Sequence, residues 1–424
     1  MIKRLHLLVI TCALFTGQFS FAQDHVKLMF YNLLNFPLEN AVPNRLQDLE
    51  LILNDYRPDL FMVCELNNSE GANTLLSSLQ FINADYQSAV FELNTSDDNI
   101  SDQNDLQQLI YYDSSKLILE SQTIVTTIFR DFNHYQLKLN TTDQINNPVY
   151  VDVIVCHLKA SSGTDNQAYR LQMAEDLTNY LNGFPPNSHV VLAGDFNVYT
   201  NSEPAFQEFL DADNNNNIKF IDPANRIGSW HNNPNYVDVM TQSTRTQTGL
   251  GGTTGGFDDR FDFIMTSENM NADPELYFVQ DSYQVYGNNA NPNCYNQAIN
   301  SSDCDGSDYP FFLRDALHNF SDHLPVTLEL ATNQTLLGIP ETFSETSMTI
   351  VGSNMIDQQL VLKADASLLH NSRLFIYNSL GQQVKTVDVN YTLIPVNTSS
   401  FANGIYYITD SKLQVKPLKF IIAH

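Results

Sequence analysis

The sequence predicts an α/β domain that is followed by a small all-β domain. Several apolar runs lack alternation and end in polar side chains, which is typical of strands covered on both faces of a sheet. Residues 190–194 form such a run, and the polar residues Asp195 and Asn197 come just after it. Segments with helical spacing of apolar residues lie between these runs. Residues 348–424, in contrast, contain only short strand patterns.

The first domain is predicted to combine strands with helices. The first strand covers residues 26–32 and ends at Asn32, and a second, over residues 59–65, ends at Glu65. The predicted helices cover residues 46–56, 71–79, 168–181 and 203–210. The further strands cover residues 86–93, 109–112, 123–129, 135–139, 149–157, 190–195 and 260–265. Long polar loops are predicted over residues 94–108, 228–256 and 281–310, and the domain closes with residues 320–328.

Residues 1–22 have the pattern of a secretory signal peptide. A basic pair precedes an apolar stretch over residues 5–15, and Ser20 and Ala22 place small residues at the positions that a signal peptidase reads. Cleavage is expected before Gln23. No later stretch approaches the ~20 apolar residues of a membrane span, so we expect an exported protein with no integral membrane segment after cleavage.

The chain of 424 residues is strongly acidic, with a formal net charge of −27 at pH 7. Removal of the signal peptide takes away Lys3 and Arg4 but no acidic residue, which leaves a charge of −29. This acidity disfavours a broad electrostatic grip on nucleic acid or on anionic lipid. A substrate with phosphate groups therefore requires divalent cations or a local basic patch.

The cysteines divide into two kinds. Cys64 and Cys156 lie inside apolar runs and are interpreted as buried thiols. Cys294 and Cys304 lie in a polar loop, and an oxidising compartment permits a disulfide between them. Such a disulfide would pin a long loop.

Polar side chains with chemical potential collect at or near the ends of the predicted strands. They are Asn32, Glu65, His157, Asp195, Asn197, Asp262, Asp322 and His323. Carboxylates without a thiolate among them are hard oxygen ligands that suit magnesium, manganese or calcium. Histidines beside them can move protons near neutral pH. The combination fits metal-assisted hydrolysis by water, although each residue alone also fits a turn cap, a surface ion pair or a core histidine.

Six motifs in the first domain resemble the endonuclease/exonuclease/phosphatase superfamily, whose members are DNase I-like. They are FYNLLNF, DLFMVCEL, VIVCHLKA, VVLAGDFN, RFDFIM and FSDHLPV, in this order, between about residues 26 and 330. The resemblance implies a four-layered α/β sandwich, with two central mixed sheets and a site at one edge between them. It also implies a metal-dependent hydrolase of phosphoric esters that uses Mg²⁺ or Mn²⁺.

The resemblance assigns a role to each of these side chains. Asn32, Glu65 and Asp322 are implied to lie at the metal, with Glu65 as the principal ligand. Asp195 matches the residue that orients or deprotonates the attacking water, and Asn197 matches an amide that binds a phosphate oxygen. The remaining matches are His323, which contacts the scissile phosphate, Asp262, which orients His323, and His157, the second histidine of one branch.

The chain departs from the superfamily at the support of His157. Members with this histidine usually carry a glutamate shortly before the strand predicted over residues 109–112, and this chain has Asp105 nearby instead. The role of His157 as a general acid is therefore open. Lys159 is a further candidate for binding phosphate, with an ordinary surface lysine as the alternative.

Residues 211–222 have the spacing of an EF-hand-like loop. Oxygen-bearing side chains occupy the ligand positions, as Asp211, Asp213, Asn215, Asn217 and Asp222, with an apolar residue at position 8. Asn216 replaces the usual glycine, and the last acid is shorter than glutamate. A structural calcium site and a solvated polar loop both remain open.

Residues 348–424 resemble the type A sorting domain of type IX secretion. The motifs are LFIYNSLGQQV, NGIYYI and a basic terminal LQVKPLKFII. We therefore expect a signal peptide over residues 1–22, a catalytic domain over residues 23–331, a linker over residues 332–347 and a sorting domain over residues 348–424. This organisation implies export through the type IX machinery, to the medium or to the cell surface.

The resulting hypothesis is a secreted monomeric nuclease that cleaves extracellular nucleic acid. The alternative is a phosphodiesterase or phosphatase that acts on a small substrate or a lipid head group, as a sphingomyelinase does. An inactive binding module is disfavoured because none of the principal metal and phosphate positions is lost.

Overall fold

A computed structural model describes most of the chain. The described residues are 24–38, 42–95, 106–337, 348–364, 373–379, 381–410 and 418–424. The predicted signal peptide and Asp105 lie outside these ranges, as does most of the predicted linker.

The first part of the chain combines strands and helices, as the sequence predicts. In chain order the elements are β1 (Asp24–Phe36), α1 (Arg45–Tyr56), β2 (Leu60–Leu66), α2 (Ser69–Ile82), β3 (Tyr86–Ser88), β4 (Gln107–Asp113), β5 (Leu117–Val125), β6 (Phe132–Leu139), β7 (Tyr150–His157), α3 (Thr164–Leu181), β8 (Val190–Asp195), α4 (Pro204–Phe209), β9 (Phe220–Ile221), β10 (Asp262–Ser267), β11 (Leu276–Phe278), β12 (Gln284–Val285), α5 (Phe311–Phe320) and β13 (Val326–Thr332).

Two mixed sheets form the centre of this part. The first has the spatial order β11-β13-β1-β2-β4-β3, with β12 also paired to β13, and the second has the order β5-β6-β7-β8-β10-β9. The pairs β1–β2 and β7–β8 are parallel. The sheets face each other, since β1 and β2 contact β7 and β8. Parallel strands that are covered on both faces require continuous apolar sequences, which explains why all six residues of β8 are buried.

Helices cover the outer face of each sheet. Leu49 and Ile52 of α1 and Leu75 of α2 pack in the same apolar core as β1 and β2, together with Leu317 of α5. On the other side, Met173 and Leu177 of α3 and Phe206 of α4 pack against Ile154 and Leu192 in a second core. The four-layered α/β sandwich is therefore confirmed.

Two predicted strands differ clearly from the structure, and one helix was not predicted. The strand predicted over residues 86–93 is only the three residues of β3, and the one predicted over residues 123–129 begins earlier, as β5. The helix α5 has no counterpart in the prediction. Its apolar side chains occur at helical spacing, with Leu313, Leu317 and Phe320 buried, but it directly follows a long Asn-rich segment.

The chain after the linker consists of strands. They are β14 (Met348–Val351), β15 (Met355–Ile356), β16 (Gln359–Ala364), β17 (Arg373–Asn378), β18 (Gln383–Asp388), β19 (Leu393–Asn397), β20 (Gly404–Asp410) and β21 (Leu418–Ile422). They form a sheet with the order β14-β16-β19 and another with the order β15-β21-β20-β17-β18. Residues including Leu362, Ile376 and Phe420 pack between them in a small core, which is consistent with the predicted all-β sandwich.

The first domain continues beyond the predicted boundary at residue 331. The strand β13 ends at Thr332, and Leu336 is buried and bridges to Thr141.

The cysteines are arranged as predicted. Cys294 and Cys304 form a disulfide, with Cα atoms 4.5 Å apart, and Cys64 and Cys156 are buried thiols. Among the residues that the structure describes, the helices are too short or too polar to span a bilayer.

Candidate active site

Neighbouring strands bring most of the predicted side chains to one end of the sandwich. In the second sheet, His157 of β7, Asp195 of β8 and Asp262 of β10 lie directly opposite one another across the strand pairs. In the first sheet, Asn32 of β1 pairs with the residue before Glu65 of β2. The parallel strands β7 and β8 end at this edge and the antiparallel strand β10 begins there, as β1 and β2 end at the matching edge of the first sheet. These side chains therefore converge between the two sheets.

Asp322 and His323 reach the same place from the segment between α5 and β13. Ser321 Oγ donates to the Asn32 carbonyl over 2.8 Å, and the His323 backbone N–H donates to Ser321 Oγ over 3.2 Å. The hydroxyl of Ser321 therefore ties this segment to β1, and Asp322 and His323 follow in a fixed position.

The side-chain amide of Asn32 lies at the centre of the cluster. Its Nδ2 atom lies 3.1 Å from Glu65 Oε1, 3.1 Å from Asp195 Oδ2 and 3.4 Å from His323 Nε2. Its Oδ1 atom accepts a hydrogen bond from the Leu34 backbone over 3.0 Å. The amide turns its nitrogen toward the carboxylates, and the role of Asn32 as a metal ligand stays a prediction.

Two site residues have a left-handed backbone conformation. The φ angle is 53° at Glu65 and 51° at Asn197. Asparagine adopts this conformation readily, whereas glutamate does so at a cost of about 1 kcal/mol or more. A non-glycine residue in this region at the end of β2 indicates that the surrounding structure fixes the direction of the Glu65 side chain.

His323 has a carboxylate at both sides of its ring. Its Nδ1 atom lies 2.7 Å from Asp262 Oδ2, and its Nε2 atom lies 3.8 Å from Asp195 Oδ2. Burial alone would lower the pKa of His323, but Asp262, Asp322 and Asp195 outweigh this and raise the pKa well above its usual range. This shift favours the protonated form of His323, which is suited to bind a phosphate oxygen.

Asp195 has the opposite tendency, toward protonation. Burial raises the pKa of its carboxyl to about 7, with His323 lowering it and Asp262 and Glu65 raising it further. A carboxyl group that titrates near neutral pH can accept a proton from water during a reaction. A bound cation would shift this pKa downward.

His157 lies beside Asp195 but is not held in the expected way. Its Nε2 atom lies 3.5 Å from Asp195 Oδ2, and burial, followed by Arg130, lowers its pKa well below the usual value. Its buried Nδ1 atom has no hydrogen-bond partner in the described part of the chain. The predicted substitute, Asp105, lies outside the described residues, so the support of His157 stays a prediction.

The donor set fits a divalent cation. Glu65, His157 and Asp195 present ligand atoms within 4.8 Å of one another, and so do Asp195, Asp262 and His323. Asp322 belongs to neither group among the described residues, yet its Oδ1 atom is buried and has no hydrogen-bond partner there. A buried carboxylate oxygen with no donor is costly, and a cation would compensate for it. Oxygen ligands of this kind select Mg²⁺, Mn²⁺ or Ca²⁺.

Asn197 and Lys159 lie at the margin of the cluster. The backbone N–H of Asn197 donates to Asp195 Oδ1 over 3.1 Å, and its side chain donates to the Leu158 carbonyl over 3.4 Å. Lys159 Nζ donates to the Ala160 carbonyl over 3.2 Å and lies 5.5 Å from the centre of the Phe129 ring. Both side chains are near His157, and their contact with phosphate stays a prediction.

Gln242 is a site residue that the sequence reasoning missed. Its Nε2 atom lies 2.6 Å from His323 Nε2 and 3.2 Å from Asp322 Oδ2. The backbone N–H of Thr253 also donates to Asp322 Oδ2, over 2.6 Å. Both residues come from the polar loop over residues 228–256, where no periodic pattern marks an individual side chain.

The EF-hand-like loop does not assemble the predicted calcium ligands. Both carboxylate oxygens of Asp222 are 2.8 Å from the guanidinium of Arg260, and both side chains are fully buried. Asp211 Oδ1 accepts from the backbone of Asn215 and Asn216, and Asn217 Nδ2 donates to the Asn182 carbonyl. Asp213 is exposed. The calcium prediction therefore loses its position-12 ligand to an ion pair.

The fold and the site together define a four-layered α/β sandwich with a buried cluster of carboxylates, histidines and amides at one end. No protein-family model matches the chain, and no curated protein matches it. Several solved structures are similar to the chain.

One is an endonuclease/exonuclease/phosphatase family protein from Bacteroides thetaiotaomicron, at 14% identity and a TM-score of 0.44, covering 74% of this chain and 99% of that chain. Another is D. rerio TDP2 complexed with single-strand DNA product, at 16% identity and a TM-score of 0.44. The match covers 73% of this chain and 99% of that chain.

A third is a mannosyl-6-phosphatase from B. thetaiotaomicron VPI-5482, at 14% identity and a TM-score of 0.42. The match covers 72% of this chain and 99% of that chain. At these values the likeness carries no inference about activity.

Proposed function

We propose that this protein is a divalent-metal-dependent hydrolase of phosphoric esters. The observation that carries the proposal is the convergence on Asn32, whose single amide nitrogen contacts Glu65, Asp195 and His323. These side chains come from three separate parts of the chain and from both sheets. A structural role does not require this concentration of buried charge, whereas hydrolysis of a phosphate ester uses every part of it.

Each residue has a distinct task in this proposal. Asp195, with a pKa near neutrality, orients the attacking water and takes its proton. His323, held by Asp262 over 2.7 Å, donates to a phosphate oxygen and stabilises the charge that develops there. Asn197 would hold a second phosphate oxygen through its amide.

The metal would be held by Glu65 and Asp322, with the oxygens of Asp195 nearby. When bound, a cation such as Mg²⁺ supplies positive charge to the phosphate and to the leaving oxygen. Asn32 contributes by donating to Glu65 and to Asp195, which keeps the two carboxylates at fixed positions. Burial favours the neutral form of His157, in which one ring nitrogen carries a proton and the other can accept a hydrogen bond.

The finer proposal is an exported nuclease that acts on extracellular DNA or RNA. The predicted signal peptide and the disulfide between Cys294 and Cys304 both suit an oxidising compartment outside the cytoplasm. The resemblance of residues 348–424 to a sorting domain supports export by the type IX machinery.

A small or lipid head-group phosphodiester is the second candidate substrate. The formal charge of −27 favours it, because an acidic surface repels a long polyanion. Divalent cations in the medium would reduce this repulsion for a nucleic acid. The two candidates use the same site and differ in the loops around it.

A direct assay tests the proposal. Purified protein, with Mg²⁺ or Mn²⁺ added, is incubated with plasmid DNA, RNA, sphingomyelin and bis(p-nitrophenyl) phosphate. We expect hydrolysis of at least one substrate, lost with EDTA, and an Asp195→Asn variant slower by about 10²- to 10⁴-fold. Asp152→Asn is the matched control, since Asp152 is also buried and lies 2.9 Å from a histidine, His134, outside the site. Equal rates for Asp195→Asn and the parent would refute the proposal.

A further inference from the structure

The segment from Thr241 to Arg245, here called the strap, runs between two site segments and is joined to both by isolated β-bridges at Gln242. Gln242 bridges to Asp259 on one side and to His323 on the other, both antiparallel. Its flanking backbone bonds are Gln242 N–H to the Asp259 carbonyl at 3.0 Å and Leu324 N–H to the Thr241 carbonyl at 2.8 Å. The strap therefore connects the chain before β10 with the chain before β13.

Side chains of the strap support the site directly. Thr241 Oγ1 accepts from the backbone N–H of Asp262 over 3.2 Å, and Thr244 Oγ1 donates to the Ser321 carbonyl over 2.6 Å. The buried guanidinium of Arg245 donates to four carbonyls, which are those of His318, Leu250, Gly251 and Asn319. Arg245 thereby holds the following loop against Asp322. A Cβ atom at Gly252 would lie 2.5 Å from Asp322 Cγ, so the loop approaches as closely as glycine allows.

Gln242 is the strap residue whose side chain enters the cluster. It is 7% exposed, and its amide lies between Asp322 and His323. The Gln242 amide can present either its NH₂ group or its oxygen to His323, and the two orientations make different hydrogen bonds. The NH₂ group can donate to Asp322 Oδ2 and to a neutral His323 ring, whereas the amide oxygen accepts from the N–H of a protonated ring.

We propose that Gln242 is a positioning residue that couples Asp322 to His323, so that the proposed metal ligand and the proposed phosphate-binding histidine hold one mutual geometry. This inference rests on the proposed function and adds to it a residue that acts through two others. Asp322 has one oxygen fixed by Gln242 and Thr253, which leaves its partnerless Oδ1 atom directed elsewhere. Partners of this kind, one step removed from a metal, typically contribute 10- to 100-fold to affinity or activity.

Two variants separate the two halves of the coupling. Gln242→Met keeps the approximate volume and removes both hydrogen bonds, whereas Gln242→Glu keeps an acceptor for His323 and removes the donor to Asp322. We expect Gln242→Met to lower kcat by about 10- to 100-fold with little change in KM, and Gln242→Glu to retain more activity than Gln242→Met. A purely structural role predicts the reverse order, because a buried carboxylate destabilises the fold more than a methionine does.

Mn²⁺ binding, measured by calorimetry, gives a second measurement that does not depend on turnover. We expect Gln242→Met to bind Mn²⁺ more weakly than the parent and Gln136→Met to match the parent. Gln136 is a suitable control because its amide donates to Asp152, outside the site, over 3.2 Å. If Gln242→Met fails to fold by circular dichroism, Gln242→Asn replaces it, since the shorter amide cannot reach both partners.

Activity and Mn²⁺ binding together distinguish the positioning role from the proposed function. Activity and Mn²⁺ affinity of Gln242→Met within about twofold of the parent would overturn the coupling, since a lost partner of a metal ligand has a larger effect. If the parent hydrolyses none of the substrates but Gln242→Met still weakens Mn²⁺ binding, the proposed function fails and the positioning role stands. A parent that neither binds Mn²⁺ nor hydrolyses any substrate overturns both.

Discussion

At the scale of single residues, Asn32 shows how one neutral side chain organises several charges. Glu65 and Asp195 both accept from its Nδ2 atom, so one amide group lies between two carboxylates that would otherwise repel each other. Burial raises the pKa of both carboxyls, and the repulsion among neighbouring acids raises them further. The site is therefore prepared to accept positive charge, from a metal or from protons.

Asp222 is a residue whose contribution to stability can be measured directly. Its carboxylate and Arg260 form a buried ion pair with two hydrogen bonds of 2.8 Å, and Arg260 also stacks on Phe263 at 4.3 Å. Asp222→Asn leaves Arg260 buried without its counter-charge. We expect a loss of about 3–5 kcal/mol in the free energy of unfolding, measured with urea.

The same experiment examines the calcium prediction. Asp213→Asn, in the exposed part of the loop, should have little effect, and added Ca²⁺ should stabilise neither variant nor the parent. Stabilisation of the parent by Ca²⁺ that disappears in Asp222→Asn would restore the calcium site.

At the scale of elements, the strands of the site were predictable and the loops were not. Asn32, Glu65, His157 and Asp195 end buried apolar runs, and the parallel pairs place such ends together. The orientation of the Asn32 amide was not predictable, because it depends on the backbone N–H of Leu34, a residue with a φ angle of 47°. No periodicity encodes a conformation of that kind.

The other features that the sequence did not predict have the same physical origin. Gln242 reaches the site from an aperiodic loop that is held by hydrogen bonds to distant backbone groups. Asp222 has the spacing of a calcium ligand, but Arg260, 38 residues later in the chain, pairs with it. The helix α5, in contrast, carries helical spacing that the sequence does show. Contacts between distant loops are thus what the sequence pattern left out.

The pair of helices α1 and α5 provides a prediction about pH. Burial, and then the carboxylate of Asp315 on α5, raises the pKa of Asp48 on α1 to about 7. The folded protein therefore binds a proton more readily than the unfolded chain, in which an aspartate has a pKa of ~3.9. Stability from this group is present at low pH and is lost as the pH rises from about 4 to about 7.

Replacement of Asp48 by asparagine should remove this dependence. We expect Asp48→Asn to melt at a temperature about 2–4 °C higher than the parent at pH 8 and to show no advantage near pH 4. Asp143→Asn is the control, since Asp143 is exposed. If Asp48→Asn and the parent differed in melting temperature by the same amount at both pH values, the raised pKa of Asp48 would not be the cause.

At the scale of the whole molecule, the C-terminal strands contact the sandwich at the end opposite the site. Lys363 Nζ of β16 donates to the Asp55 carbonyl near the end of α1, and Val351 and Leu393 join the apolar core. A cavity of about 440 Å³ lies between Ile350 and the last turns of α1 and α2. From that end, β1 and β2 run toward Asn32 and Glu65. The site is therefore distant from this contact.

The position of the C-terminal strands gives a prediction about truncation. A protein that ends at Leu337 keeps every element of the two central sheets, including the bridge from Leu336 to Thr141. We expect it to fold and to hydrolyse the best substrate with a kcat within about twofold of the full chain, because no site residue loses a contact. We also expect a melting temperature lower by about 2–4 °C, because removal of residues 348–424 exposes apolar surface near α1. Lys363→Ala in the full chain is the matched control, and it should reproduce only a small part of the stability loss. A truncated protein that is folded by circular dichroism but inactive would contradict this prediction. It would mean that residues 348–424 affect the site despite their contact at the opposite end of the sandwich.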